Sequence, residues 1–319
     1  MSKIIVTGGA GFIGGHIVEA LLGQGHQVVV YDNLHTGSVR NIEHFQREHG
    51  AGFVNGDILD EGLLLAVFQD AETVYHLAAL SSVPESMKKK ADYVKVNTIG
   101  TLNVLEAARL CGVKNAVFAS TAAVYGDNPA TPKTETMTPE PTSPYGVTKL
   151  DGEYYFAMYR REYGINAVSL RCFNVFGPRQ NPNSEYAAVV PKFINQALRN
   201  EPIIIFGDGR QTRDFISVKD VSQANLLAVA NGAASKGASV YNVAGGAGIS
   251  IQDLAQKIIR LTGSRSHIQY LPERPGDIKH SLADNSKIIR ELGLKITPDI
   301  DQSLMETIDY FRKILNSEF

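Results

Sequence analysis

The chain is 319 residues long, 44% hydrophobic and 20% charged, with 31 Lys plus Arg set against 33 Asp plus Glu. This is the composition of an ordinary globular protein of about two domains; it excludes disordered and fibrous classes and gives no reason to expect nucleic acid as a partner. No stretch approaches the ~20 apolar residues that span a bilayer, so no membrane partner is expected. The apolar run Ile4 to Val6 stops at glycines, far short of a signal-peptide core, so a cytoplasmic location is expected. Cys111 and Cys172 are the only cysteines, and neither stands in a Cys-x-x-Cys pair or near clustered histidines. Both read as reduced, packed thiols, and no metal site is expected.

In chain order, short β-branched runs alternate with helical periodicity: KIIV, QVVVY, GFVN, TVYHL, NAVFAS and NAVSLR are each separated by one expected helix. The alternation predicts a parallel sheet wrapped by helices on both faces. Parallel strands buried on both sides read as continuous apolar runs, as these do. The triplet Lys88, Lys89 and Lys90 reads as a solvated helix start. Past about Phe173 the rhythm loosens, and FGPRQNPNSEY and FGDGRQTRDF read as loops and turns. A helix from about Ser217 and a strand-like run from Ser239 to Val243 follow, so the sheet is expected to reclaim part of the later chain.

Gly8, Gly11 and Gly14 fall at Gly-x-x-Gly-x-x-Gly between the strand KIIVT and a helix carrying Ile13, Ile17, Ala20 and Leu21 on one face. Glycines there permit a tight turn, let backbone approach a pyrophosphate and allow close helix–sheet packing, while the helix N-terminus faces the phosphates. The next strand, QVVVY, ends at Asp32, 18 residues beyond Gly14, where a carboxylate accepts from the adenosine ribose hydroxyls. An acid at that place repels a 2'-phosphate, so NAD is favoured over NADP. Asp57, in NGDILD, closes the third strand in the same way; it reads either as a partner for adenine or as a helix N-terminal residue. The expected organisation is a doubly wound α/β NAD-binding domain, residues 1–173 plus roughly 214–244, with a second, smaller α/β substrate domain, residues 174–213 and roughly 245–319.

In TSPYGVTKLDGEYYFAMYRREYG, Ser143 is an expected N-cap with Pro144 at the first helical position, and Tyr145 and Lys149 lie one turn apart on one face. The pair opens the helix after the fifth strand and so faces the carboxyl ends of the strands, where open α/β sheets bind ligands. A tyrosine with a pKa of ~10 is a poor base at neutral pH, but an ammonium one turn away and an oxidised nicotinamide both favour the phenolate.

With these residues in hand the chain resembles the short-chain dehydrogenase/reductase superfamily, in its extended branch acting on nucleotide sugars. The resemblance runs over essentially the whole chain and is carried by TGGAGFIG, HLAA, NTIGTLNVLEAA, STAAVYG, YGVTK and RCFNVFGPR. It implies a Rossmann-like fold in which Phe12, Ile13, Asn33, Ile58, Leu77, Ala78, Ala79 and Asn97 join the glycines, Asp32 and Asp57 around the cofactor. It further implies that Thr121 holds the substrate hydroxyl beside Tyr145 and that Lys149 also bonds the nicotinamide ribose. Most relatives carry Ser at the Thr121 position; Thr keeps the hydroxyl and adds a methyl.

The same resemblance bears on the reaction. Relatives that dehydrate a sugar place Asp-Glu after the Thr121 position, whereas this chain has Ala122 and Ala123, which serve neither as acid nor as base. Decarboxylating relatives commonly carry an acid in this stretch. Reversible hydride transfer with no group lost, a 4-epimerisation of a UDP-hexose, is the implied activity. Asn174, Val190, Arg213 and Arg274 match substrate ligands, the arginines on the diphosphate. Ser281 stands where epimerases restricted to UDP-glucose and UDP-galactose carry tyrosine, which implies room for a 2-N-acetyl group. A UDP-glucuronate 4-epimerase, another nucleotide-sugar dehydratase or decarboxylase, and a non-catalytic NAD-sensing protein remain as alternatives. Relatives pair through helices matching Leu102 to Leu110 and Tyr145 to Tyr163, so a homodimer is implied.

Overall fold

The structure is a computed structural model that describes residues 2–182, 188–230, 240–273 and 279–317. The first half alternates strand and helix: β1 (Lys3–Thr7), α1 (Phe12–Gly23), β2 (Gln27–Asp32), α2 (Glu43–His49), β3 (Gly52–Asn55), α3 (Glu61–Phe68) and β4 (Ala71–His76). Two short helices, α4 (Val83–Lys88) and α5 (Lys90–Tyr93), lead through a π-helical stretch, Val94–Ile99, into α6 (Gly100–Leu110). Then come β5 (Asn115–Thr121), α7 (Pro144–Tyr163), β6 (Asn166–Cys172), β7 (Asn174–Phe176), α8 (Val189–Leu198), β8 (Ile203–Phe206), β9 (Thr212–Ser217) and α9 (Val218–Ala230). The chain closes with β10 (Val240–Val243), β11 (Gly248–Ser250), α10 (Ile251–Thr262), β12 (Ile268–Leu271), α11 (Ser286–Leu292) and α12 (Ile300–Ser317).

Seven strands form one sheet in the order β10-β6-β5-β4-β1-β2-β3, every pairing parallel. The order reverses direction at β1, so the loops after β1 and β4 part and leave a crevice at the carboxyl edge, as a doubly wound Rossmann-like sheet requires. Each face of the sheet has its own core. On one, Ile17, Val18 and Leu21 of α1 meet Val221 and Ala224 of α9. On the other, Leu64 and Phe68 of α3 meet Val104 and Leu105 of α6 and Phe156 of α7. Ile5 and Val6, adjacent in β1 and both fully buried, go one to each core, which is why the strand is apolar throughout.

The later segments build a separate core of Phe193 and Ile194 from α8, Leu254 and Ile258 from α10, and Leu304 and Ile308 from α12. Two small sheets flank it, β11-β9-β7 and β12-β8. The expectation that FGDGRQTRDF is wholly loop is corrected here: its tail is β9, pairing in parallel with β7 and antiparallel with β11. Asp214 disguises the strand in the sequence, being fully buried yet satisfied by the main-chain N–H groups of Gly246 and Ala283 at 3.0 Å. A second difference concerns α11, whose Ile288 and Leu292 pack with the α1–α9 core of the large sheet, not with the later core. Lys88, Lys89 and Lys90 are all exposed, at the join of α4 and α5. Among the described residues no helix is long and apolar enough to cross a membrane.

Candidate active site

The crevice is floored by the loop after β1. Gly8 adopts φ +69°, and a Cβ there would stand 2.6 Å from Ala78 N; one on Gly14 would stand 2.2 Å from Gly8 O. Only glycine lets the loop, the helix start and the Leu77–Ala78 backbone come together so closely. Helix α1 begins at Phe12 with Gly11 as N-cap and no side-chain cap, leaving its first amide N–H groups to the crevice. This is the arrangement that takes a phosphate. Asp32 ends β2 with its carboxylate held by Ala10 N at 3.0 Å and Leu34 N at 2.8 Å. Burial raises its pKa, and those two N–H groups oppose the rise. Asp57 accepts from Asn33 Nδ2 at 3.0 Å and from Leu59 N at 2.9 Å.

The resulting cleft holds about 510 Å³ and brings together Gly8, Gly11, Phe12, Ile13, Gly14, Asp32, Asn33, Asp57, Ile58, Leu77, Ala78 and Ala79 with Thr121, Tyr145 and Lys149. Asn97 lies behind this wall and not in it. Its amide donates to Leu80 O at 2.9 Å and Thr148 Oγ1 at 3.1 Å, and its carbonyl accepts from Leu80 N at 2.8 Å. Asn97 lies within the π-helical stretch, and such bulges recur at functional sites.

Ser143 Oγ accepts from Gly146 N at 3.1 Å and caps α7, so Tyr145 and Lys149 are presented by its first turns as the spacing predicts. Lys149 is 4% exposed, with Nζ donating to Ala119 O at 2.9 Å and lying 4.7 Å from the Phe118 ring centroid. Burial pulls its pKa down to about 8. Tyr145 meets Tyr93 edge-on at 6.4 Å between ring centroids. Burial pushes the Tyr145 hydroxyl up to about 12, and a hydrogen bond with Thr121 works against that. The protein alone therefore holds Tyr145 as the phenol. Beneath the site His76 bonds Thr7 Oγ1 at 2.7 Å and Thr101 Oγ1 at 2.9 Å, and burial drops its pKa to about 3, so the ring is neutral.

A second cleft of about 220 Å³ shares Thr121, Cys172 and Phe173 with the first. It is lined by Ala122, Ala123, Asn174, Arg213 and Ser281, joined by Tyr125, Lys133 and His280. Five separate stretches of chain meet here. Asn174 Nδ2 donates to Asp214 O at 3.1 Å, Arg213 Nη1 donates to Thr212 O at 2.9 Å, and Ser281 N donates to Thr212 O at 3.1 Å. Arg274 lies outside the described residues. Val190 is not brought to either cleft: it is 1% exposed and packed with Phe193 and Ile194 in the later core, because the first turn of α8 points its apolar side inward. Cys172, Gln180 and Lys133 are lining residues that the sequence reading missed. Cys172 was legible in principle, since it is the register partner of Thr121 across β5 and β6. Lys133 had no local signal.

A glycine-floored crevice at the reversal point of a parallel sheet, with Tyr145 and Lys149 in its lining, defines a dinucleotide-dependent α/β enzyme. The model of the NAD dependent epimerase/dehydratase family matches residues 4–244. The chain belongs to that family, and its cofactor is NAD. It is 37% identical over 313 residues to a UDP-glucose 4-epimerase of Mycolicibacterium smegmatis, covering 97% of this chain and 98% of the relative. Among solved structures it resembles a UDP-N-acetylglucosamine 4-epimerase from Methanobrevibacter ruminantium in complex with UDP-N-acetylmuramic acid, with TM-score 0.92, 40% identity and coverage of 98% and 99%. It also resembles a UDP-glucose 4-epimerase from Thermotoga maritima with UDP-glucose, with TM-score 0.91, 39% identity and the same coverage.

Proposed function

We propose that this enzyme interconverts the 4-epimers of UDP-hexoses, UDP-glucose with UDP-galactose and UDP-N-acetylglucosamine with UDP-N-acetylgalactosamine. One observation carries the choice of reaction: among the described residues, no carboxylate lines the cleft beyond Thr121. Expelling the C6 hydroxyl needs an acid and removing the C5 proton needs a base, and Ala122 and Ala123 supply neither. What the lining does support is proton exchange at one hydroxyl.

Gly8, Gly11, Gly14 and the start of α1 would hold the NAD pyrophosphate, Asp32 the adenosine ribose, and Lys149 the nicotinamide ribose. NAD, when bound, supplies a hydride acceptor and donor for C4 and a cationic ring that favours a tyrosinate. Tyr145 takes the proton of the 4-hydroxyl, directly or through Thr121, as the 4-keto sugar forms. After the keto sugar turns its opposite face, Tyr145 gives the proton back. Nothing is lost or gained over the cycle, so no second substrate is required. Arg213, with Asn174, would grip the diphosphate while the sugar is held loosely, since a sugar locked in one pose cannot present both faces. Ser281 leaves the wall open for a 2-acetamido group.

We further propose that the large parallel sheet is the cofactor domain and the α8–α10–α12 lobe the nucleotide-sugar domain. The chain would pair as a homodimer through Ile99, Leu110, Tyr154 and Tyr163, apolar residues 45–61% exposed on and beside α6 and α7. The reaction is tested with UDP-glucose deuterated at C4. Retention of deuterium at C4 of the UDP-galactose formed supports the cycle; loss of the label to solvent overturns it.

A further inference from the structure

We infer that Lys133 is a specificity-determining residue whose ammonium binds the carbonyl oxygen of a 2-acetamido group on the hexose. The inference rests on the 4-epimerase reading above and names a group that recognises one class of its substrates.

Lys133 is built into the same wall as Ser281. Its N–H donates to Leu282 O at 2.8 Å, its carbonyl accepts from Asp284 N at 2.9 Å, and it forms a parallel bridge with Ala283. Asn242 Nδ2 donates to the same carbonyl at 2.9 Å, while Tyr125 OH fixes Asn242 through a 2.6 Å bond to Oδ1. The main chain of Lys133 is thus held from two sides, next to the segment that carries Ser281, and Lys133 and Ser281 line the same cleft.

The charge is poorly compensated there. Lys133 is 7% exposed, and among the described residues its Nζ has a single acceptor, Asn128 O. An ammonium carries three N–H donors, and burying it without acceptors is costly. No carboxylate of the cleft lining answers it. Burial accordingly pushes its pKa down, with Asp127 opposing. The other cations of the cleft are engaged differently: Arg213 belongs to the diphosphate end, and His280 Nδ1 is bonded to Thr212 Oγ1 at 3.0 Å. A substrate oxygen arriving beside Ser281 enters the cleft that Lys133 also lines, where an ammonium with N–H groups to spare would be a charged donor for it. The amide carbonyl is a strong acceptor, and the space that a serine leaves at that wall is where it would come.

The test measures binding and turnover separately, on the full-length enzyme loaded with NAD. Dissociation constants for UDP, UDP-glucose, UDP-N-acetylglucosamine and UDP-glucuronate are measured by calorimetry for the parent, Lys133→Met and Lys133→Arg, with thermal melts to confirm that each variant folds. Methionine keeps the stem and every main-chain bond while removing the charge. The expected result is that the affinity ratio of UDP-N-acetylglucosamine to UDP-glucose falls about tenfold in Lys133→Met, the scale of one charged hydrogen bond, and is largely restored in Lys133→Arg. An equal loss for both sugars, or a loss confined to UDP-glucuronate, overturns the proposal. Because binding is read without turnover, a parent enzyme that distinguishes the sugars but epimerises neither would sink the reaction assignment and leave the Lys133 result standing.

Discussion

The Lys149 ammonium donates to the Ala119 carbonyl at 2.9 Å, two residues before Thr121 on the same strand. One side chain of α7 thereby ties the helix that presents Tyr145 to the strand that presents Thr121. Burial holds the Lys149 pKa near 8, and its charged form is the protonated one. Activity that depends on this charge falls as pH rises through about 8. Initial rates from pH 6.5 to 9.5 should show that falling limb, and Lys149→Met should lower kcat by about 10²–10³-fold, within the usual range for a general acid–base assembly. A flat profile through pH 9.5 would remove Lys149 from this role.

Gly14→Ala places a methyl carbon 2.2 Å from Gly8 O, a backbone atom that cannot yield without moving the loop. The expected result is at least tenfold weaker NAD binding and a cost of about 1–3 kcal/mol in stability, the scale of overpacking. Gly23→Ala is the contrast. A Cβ at Gly23, the last residue of α1, meets nothing within 4 Å, so this change should stabilise the enzyme by about 0.5–1 kcal/mol and leave NAD affinity alone. Denaturant titrations and cofactor fluorescence check both.

Ser281→Tyr should lower kcat/KM for UDP-N-acetylglucosamine about tenfold or more while UDP-glucose changes far less, because the new ring fills the space assigned to the acetamido group. Competition assays with the two sugars in one tube read the ratio directly. An unchanged ratio would mean that Ser281 does not gate the pocket.

Acid should unfold the protein through its buried histidines. Burial and the Lys149 charge bring the His76 pKa down to about 3, and burial and the Arg179 charge bring that of His16 to about 4. Both pKa values are depressed below ~6.5, the ordinary value they regain when unfolded, so the unfolded chain binds more protons below pH ~6.5. Stability is full above that pH and falls as pH drops through the window from ~6.5 toward 4. Each histidine contributes a loss of roughly 2 kcal/mol by pH 5. Urea midpoints at pH 7, 6 and 5 give the slope, and His76→Asn should reduce it.

The parts of the site that lie within one strand–loop–helix unit were legible in the sequence. Gly8, Gly14 and Asp32 announce themselves because tight turns and a strand-end carboxylate impose residue types at fixed local spacing. Tyr145 and Lys149 follow from one helical turn and the Ser143 cap. Residues assembled from distant segments were not derivable in this way: Asn174, Arg213 and Ser281 were named by resemblance alone, and the β7–β9 pairing with the Thr212–His280 bridge is what brings them together. Val190 was misplaced because an apolar residue opening a helix reads alike whether it faces a ligand or a core. The β9 strand was hidden by Asp214, whose burial depends on loops far along the chain. Lys133 sits in an aperiodic stretch positioned by its bonds to Asn242 and to residues 282–284, so nothing near it in sequence marks it.

The most direct test of the proposed 4-epimerisation is an NMR time course of UDP-glucose, and separately of UDP-N-acetylglucosamine, incubated with purified enzyme and no added reductant. Each sugar should convert to an equilibrium mixture with its galacto epimer, with no sugar product other than the 4-epimers and no net change in NAD. Appearance of a 4-keto-6-deoxy sugar, or no conversion of either substrate by enzyme shown to carry NAD, would contradict it.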